Sequence, residues 1–301
     1  MTTATTTTEP TGPATPAGVP ARSHATLSRL TFGGILRSEW IKIRSLRSTF
    51  WCYLFIVIIN VGFAALASWL VGAGRGRGPG SALSTAGGPA EAIGIITAGL
   101  TLSVLISAVL GALMITGEYG TGMIKSTLTA DPRRFGAVFG KVLVFGISSF
   151  VIGLVSLVVA ALVATPGLNH NNVSFDWSDG QFWLALIGGA GYIALVGLIS
   201  FGLGAIIRST AGGIAAGIGL VFILPIIGTI FSALTSVAWI TNLIAFLPSN
   251  AGGKIYAYGA GTSSVKDGLI TLDATQGLLV LLAWAVVLLA IATVTIKRRD
   301  A

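Results

Sequence analysis

Of 301 residues, 53% are hydrophobic and only 9% carry a formal charge, against roughly one quarter in a soluble globular protein. That composition excludes a water-soluble globular fold and identifies a membrane protein. The net charge of +8 would suit nucleic acid, but its distribution along the chain reports orientation in a bilayer instead, so no nucleic-acid partner is expected.

Residues 1–26, rich in Thr, Pro and Ala, have no apolar core behind a basic start. They read as a disordered cytoplasmic tail, not a secretory signal. Residues 27–50 predict an amphipathic interfacial helix. Phe32, Ile35, Leu36, Trp40, Ile43, Leu46 and Phe50 share one stripe, and Arg37, Lys42, Arg44 and Arg47 lie within reach of anionic lipid. Glu39 breaks that stripe unless it pairs with Lys42 at i, i+3.

The segments 48–74, 92–117, 142–175, 180–207, 209–253 and 274–296 contain no formal charge, and each exceeds the ~20 residues that cross a bilayer as a helix. They predict an all-α membrane domain over 51–296 with six transmembrane helices at 51–74, 92–116, 142–164, 182–207, 211–233 and 277–296, followed by a cytoplasmic tail at 297–301. The 45-residue segment 209–253 reads as one span, because its second half carries Trp239, Asn242, Pro248, Ser249 and Asn250. That half is expected to form an interfacial or re-entrant cap on the outside, near 234–260. Six crossings put fourteen of the eighteen Lys and Arg residues on one face, which makes the chain a multi-pass protein with both termini cytoplasmic; the family resemblance given below implies the bacterial plasma membrane. Pro225 should kink span five, and Gly213 and Gly217 give that span a small-residue face for packing within the chain or against a second copy.

Several chemistries find no support. The pattern Gly-x-x-x-x-Gly-Lys-Ser/Thr is missing, since Val142 follows Gly140-Lys141 and Ile255 follows Gly253-Lys254, so the chain is not expected to bind ATP by a phosphate loop. No His-Glu-x-x-His and no Cys/His cluster suggests a metal or any cofactor, and no catalytic residue is assigned. No span interior holds Asp, Glu, Lys, Arg or His, which weighs against an ion-coupled carrier or channel, although sodium sites built from carbonyls escape that argument. An envelope enzyme using Asp176, Asp179 or His170 is a further alternative without a recognised spacing. Within the spans Asn60, Thr97, Thr101 and Ser103 either line a substrate path or bond back to their own helices.

The exceptional connection is Gly117–Lys141, GEYGTGMIKSTLTADPRRFGAVFGK. Gly117 is expected to end span two, and Gly120 and Gly122 to permit a sharp turn. Residues 123–130 can make about two turns of helix along the membrane, and Asp131-Pro132 reads as a cap and first turn for span three. Glu118 is expected to pair with Lys125, Arg133 or Arg134, or with backbone donors. A short helix tied to two spans converts a push on it into a tilt of both.

The run Gly117-Glu118-Tyr119, Lys125-Ser126-Thr127-Leu128 and Pro132-Arg133-Arg134, together with Leu247-Pro248-Ser249-Asn250-Ala251-Gly252, resembles the permease subunit of ABC-2-type transporters, in the bacterial branch of bacitracin and lantibiotic exporters. The resemblance covers roughly residues 28–300. It implies a six-span permease that pairs with a second permease copy, a homodimer, and with a cytoplasmic ATP-binding subunit holding the ATP and magnesium. It implies that Glu118, Tyr119, Met123, Ile124, Lys125, Leu128, Arg133 and Arg134 form or brace the coupling surface for that ATPase, aided by the 27–50 helix. Family members often carry arginine where Lys125 stands and an apolar residue where Asp131 stands. Export of an antimicrobial peptide, natural product or lipid-like molecule is the implied activity.

Overall fold

In lipid a segment must satisfy its own backbone polar groups, so long charge-free stretches become helices. The structure is a computed structural model describing residues 32–74, 88–120, 122, 135–235, 237–259, 264–266 and 268–299. Its helices are α1 (Phe32–Ser45), α2 (Arg47–Gly74), α3 (Pro89–Ile96), α4 (Leu100–Gly120), α5 (Phe135–His170), α6 (Gly180–Ile207), α7 (Thr210–Ile218), α8 (Leu224–Thr235), α9 (Ala238–Ala245), α10 (Pro248–Ile255) and α11 (Ala274–Arg299). Among the described residues, six helical stretches are long and apolar enough to cross a membrane: Arg47–Leu70, Leu100–Gly120, Val138–His170, Gly180–Ile207, Thr210–Thr235 and Ala274–Ile296. The fold is an all-α, multi-pass membrane bundle. Strands within that set amount to a small antiparallel hairpin, β1 (Ser264–Lys266) with β2 (Leu269–Thr271), in which Val265 faces Ile270.

The core lies between α4 and α6. In their most apolar stretches 61% of α4 and 67% of α6 are buried, against 17% of α2 and of the α7–α8 span, so the last two form the rim. A Cβ on Gly111 would collide with the Gly197 carbonyl, and only glycine lets these two backbones meet. There Ser107 Oγ donates to the Ile193 carbonyl at 2.7 Å. The small face of α7 is likewise spent inside the chain: a Cβ on Gly213 would stand 2.9 Å from Gly204 Cα, and one on Gly217 2.6 Å from Ser200 Oγ.

A polar ladder laces α2 to α5. Tyr53 Oη meets Ser148 Oγ at 2.7 Å, Asn60 Nδ2 donates to Ser156 Oγ at 2.9 Å, and Asn171 Nδ2 donates to the Ser68 carbonyl at 2.8 Å. These rungs recur every seven or eight residues on α2, two helical turns apart, so they stay on one face.

Local departures from the periodicity have physical causes. The expected second span breaks at 97–99 into α3 and α4, where Gly99 abuts α2 so closely that a Cβ would stand 2.7 Å from the Ile59 carbonyl. Helix α4 runs through Gly117 to Gly120. Helix α5 continues through Pro166 to His170; the Thr165 hydroxyl donates to the Ala161 carbonyl at 2.7 Å, and Asn171 Nδ2 donates to the Gly167 carbonyl at 2.9 Å. The Pro225 position is prepared by a π-helical turn, Gly219–Ile223, in which the Leu224 N–H reaches back to the Gly219 carbonyl.

A buried charge cluster as the candidate functional site

Helix α1 turns Glu39 and Ile43 inward, at 4% and 6% exposure. A carboxylate on an inward apolar face is costly unless paired and hydrogen-bonded. Glu118 poses a second problem, because an acid in the last turn of α4 opposes the helix dipole. Lys141, in the second turn of α5 and 5% exposed, resolves both. Its Nζ lies 2.8 Å from Glu39 Oε2 and 2.6 Å from Glu118 Oε1. Lys42 Nζ completes the figure at 2.9 Å from Glu39 Oε1 and 3.3 Å from Glu118 Oε1. Each ammonium touches both carboxylates, and the four charges sum to zero.

Three elements meet here, and the sequence prepares the meeting. Gly140 lets α1 settle on α5, since a Cβ there would stand 2.8 Å from Ile35 Cγ2; this brings the neighbouring Lys141 within reach of Glu39. Phe32 and Phe139 add an aromatic contact, ring centroids 6.2 Å apart. Burial works against ionisation of Glu39, but the Lys141 ammonium and then that of Lys42 override it and hold the carboxyl below its ordinary value. For Lys42, burial alone would lower the pKa; its bonds to Glu39 and Glu118 raise it instead. Beside the cluster is a cavity of about 460 Å³ whose walls include Ser45, Thr49, Leu113 and Met114.

A second tie holds neighbouring helix ends together. Arg208 ends α6 in a left-handed conformation, φ 60°, with its N–H bonded to the Gly204 carbonyl at 2.8 Å. Its guanidinium stands 5.2 Å from the centroid of the Tyr119 ring, and its Nη2 donates to the Thr295 carbonyl on α11 at 3.4 Å. Thus α4, α6 and α11 converge on one arginine.

Of the expected coupling residues, Glu118 and Tyr119 stand in these two ties. Met123, Ile124, Lys125, Leu128, Arg133 and Arg134 lie outside the described residues, as does the Asp131-Pro132 cap. Gly122 has φ +70°, as a sharp turn requires. The expected Glu39–Lys42 pair is present, and Arg37, Trp40, Arg44 and Arg47 are exposed. Asn60 and Ser103 are fully buried, Asn60 on Ser156 and Ser103 Oγ 3.5 Å from the Ile56 carbonyl. Thr97 Oγ1 donates to the Ile93 carbonyl of its own helix at 2.7 Å, and Thr101 is exposed.

The three residues weighed for enzymatic chemistry make local contacts. Asp179 caps α6 through the Gln181 N–H at 2.9 Å and accepts from Tyr258 Oη at 2.6 Å. Asp176 accepts from the Ser178 N–H at 2.8 Å, and the His170 ring lies 5.7 Å from that of Trp69. Sequence reasoning did not name Lys141, Glu39 and Arg208 as site residues. The available signal was position: Lys141 and Glu118 each border a charge-free stretch, and Arg208 is the lone charge between two of them.

Comparison with known proteins agrees with this architecture. The family described as ABC-2 family transporter protein matches residues 35–228, a stretch that contains all four members of the cluster. No curated protein matches the chain.

Proposed function

Because the chain belongs to the ABC-2 transporter family and is a transmembrane permease of an ABC transporter, we propose that a separate ATPase docks on its 117–141 segment and drives export of a hydrophobic or amphipathic compound. Association with an ABC ATP-binding subunit follows from the family; the docking site, cargo, direction and cytoplasmic orientation are this proposal. The partner holds ATP and magnesium, and this chain contributes no catalytic group.

The observation that carries the reading is the Glu39–Lys42–Glu118–Lys141 cluster. It grips the chain two residues before α4 ends and six residues after α5 begins, and ties both grips to α1. A displacement of the intervening loop is therefore delivered to α1, α4 and α5 as one body. Helix α4 is the partner of α6 in the core, and their backbones touch at Gly111 and Gly197, so a tilt of α4 is transmitted to the centre of the bundle. Packed cores switch between discrete arrangements, and the cargo's differential affinity for two such arrangements sets direction. The bare apolar rim of α2 and α8, with Leu66, Ile227 and Leu234 outward, supports a second permease copy. An apolar cavity of about 680 Å³ between α8, α9 and α11, walled by Leu243, Phe246 and Trp284, supports an apolar cargo.

The test is co-purification with a candidate soluble ABC ATPase, followed by ATP turnover in liposomes with candidate compounds. The expected result is a stable complex whose turnover rises with amphipathic compounds. Transport by the purified chain without any ATPase would instead favour an ion-coupled carrier or channel.

A further inference from the structure

The outward face of α1 carries charge that the cluster does not use. Arg37, Trp40 and Arg44, at i, i+3 and i+7, share that face. Glu39, the one acid of α1, is committed to Lys42 and Lys141. Among the described residues neither Arg37 nor Arg44 makes an ion pair. Beneath each arginine is an apolar notch, the first between α1 and α5 and the second between α1, α2 and α5. One, of about 290 Å³, has Arg37 at its rim; the other, of about 400 Å³, has Arg44. Trp40 and Ile147 border both, so the two notches lie side by side with the indole between them.

We propose that these paired notches seat one acidic phospholipid, its phosphate held by Arg37 and Arg44 and its two acyl chains lying on either side of Trp40. The floor of the notches is a single face of α5, Leu143, Ile147 and Val151, which descends about 12 Å along a spanning helix. That is the course of an acyl chain. Ile147 is 54% exposed and Val151 48%, so the floor is open to the bilayer. A soluble anion would satisfy the arginines and leave the apolar floor bare. A neutral lipid would fill the floor and leave two cations uncompensated. Only an amphipathic anion answers both features, and the membrane supplies it at high concentration beside the cations. The lipid would brace α1 from outside as the cluster braces it from within. The assignment to the cytoplasmic leaflet rests on the transporter reading; the site itself does not.

The test is native mass spectrometry of the purified full-length chain titrated with phosphatidylglycerol or with phosphatidylcholine of the same acyl chains. One phosphatidylglycerol should survive activation that strips phosphatidylcholine. R37Q with R44Q should weaken its retention about tenfold or more, and R37K with R44K should keep most of it. Both arginines are exposed, so these changes spare the fold. Equal retention of the two lipids by the native chain would overturn the proposal, as would undiminished retention by the glutamine variant. Loss of ATPase co-purification with lipid retention intact would assign the arginines to a protein partner instead. No arm of the lipid measurement requires an ATPase or a cargo, so its failure is separable from failure of the transporter reading.

Discussion

The two ends of the bundle are held by different physics. At the α1 end, helices that are far apart in sequence meet through four alternating charges and through Arg208. At the opposite end, Phe175 stacks on Phe182 with centroids 4.8 Å apart, and Trp177 meets Phe182 edge-on at 5.2 Å. Aromatic packing is short-ranged and tolerates little sliding. Paired charges instead fix a position by direction, and they fail sharply when one member is lost. Under the transporter reading, that difference makes the aromatic end a fixed anchor and the charged end the joint through which force passes between helices.

Two substitutions break that comparison most severely. Lys141→Met leaves Glu39 buried beside a single ammonium, and removal of one member of a buried pair costs about 3–5 kcal/mol. Phe182→Ala empties a site with 0% exposure and costs about 3–5 kcal/mol by cavity formation. Thermal unfolding should show both losses, but only the first should abolish stimulation of the partner ATPase per folded molecule. Equal loss of stimulation in both variants would erase the distinction between joint and anchor.

A smaller effect sharpens the comparison through pH. The folded pKa of Glu39 is depressed, so its stabilisation is complete above the ordinary value of 4.5 and is lost as pH falls through the folded value. The folded pKa of Lys42 is raised, so its contribution is complete below 10.5 and is lost as pH rises through the folded value. The Tm should therefore be flat from about pH 6 to about pH 9 as far as the cluster is concerned, then fall in acid. Lys141→Met should remove most of the acid-side fall, and a native-like fall in that variant would detach it from the cluster.

The six crossings were legible because bilayer spans exclude charge, and charge is countable along a chain. The Glu39–Lys42 pair was legible because i, i+3 neighbours meet on any helix. Lys141 was not, since it meets Glu39 across 102 residues of chain through the packing of α1 on α5, and no local rule encodes that approach. The break at 97–99 escaped for a similar reason: Thr97-Ala98-Gly99 contains no proline, and the feature that accompanies it is the close approach of Gly99 to the α2 backbone at Ile59. The extension of α5 past Pro166 escaped because a proline ordinarily ends or kinks a helix, and Asn171, which ties the end of α5 to the Ser68 carbonyl on α2, lies beyond it. Of the two motifs that carried the family resemblance, the one at 117–134 falls inside the matched region 35–228 and the one at 247–252 beyond it.

Under the transporter reading, drive from the ATPase reaches the core through the charge cluster, and the fully charge-reversed chain, Glu39→Lys and Glu118→Lys with Lys42→Glu and Lys141→Glu, tests it most directly. Measured in liposomes with the partner ATPase, reversal of the two acids alone or of the two lysines alone brings four like charges together and should uncouple ATP turnover from cargo, and the fourfold reversal, which restores all four opposite-charge contacts, should recover a large part of the coupling. Coupling that is normal in both half-reversed variants, or no better in the fourfold variant than in either one, would contradict it.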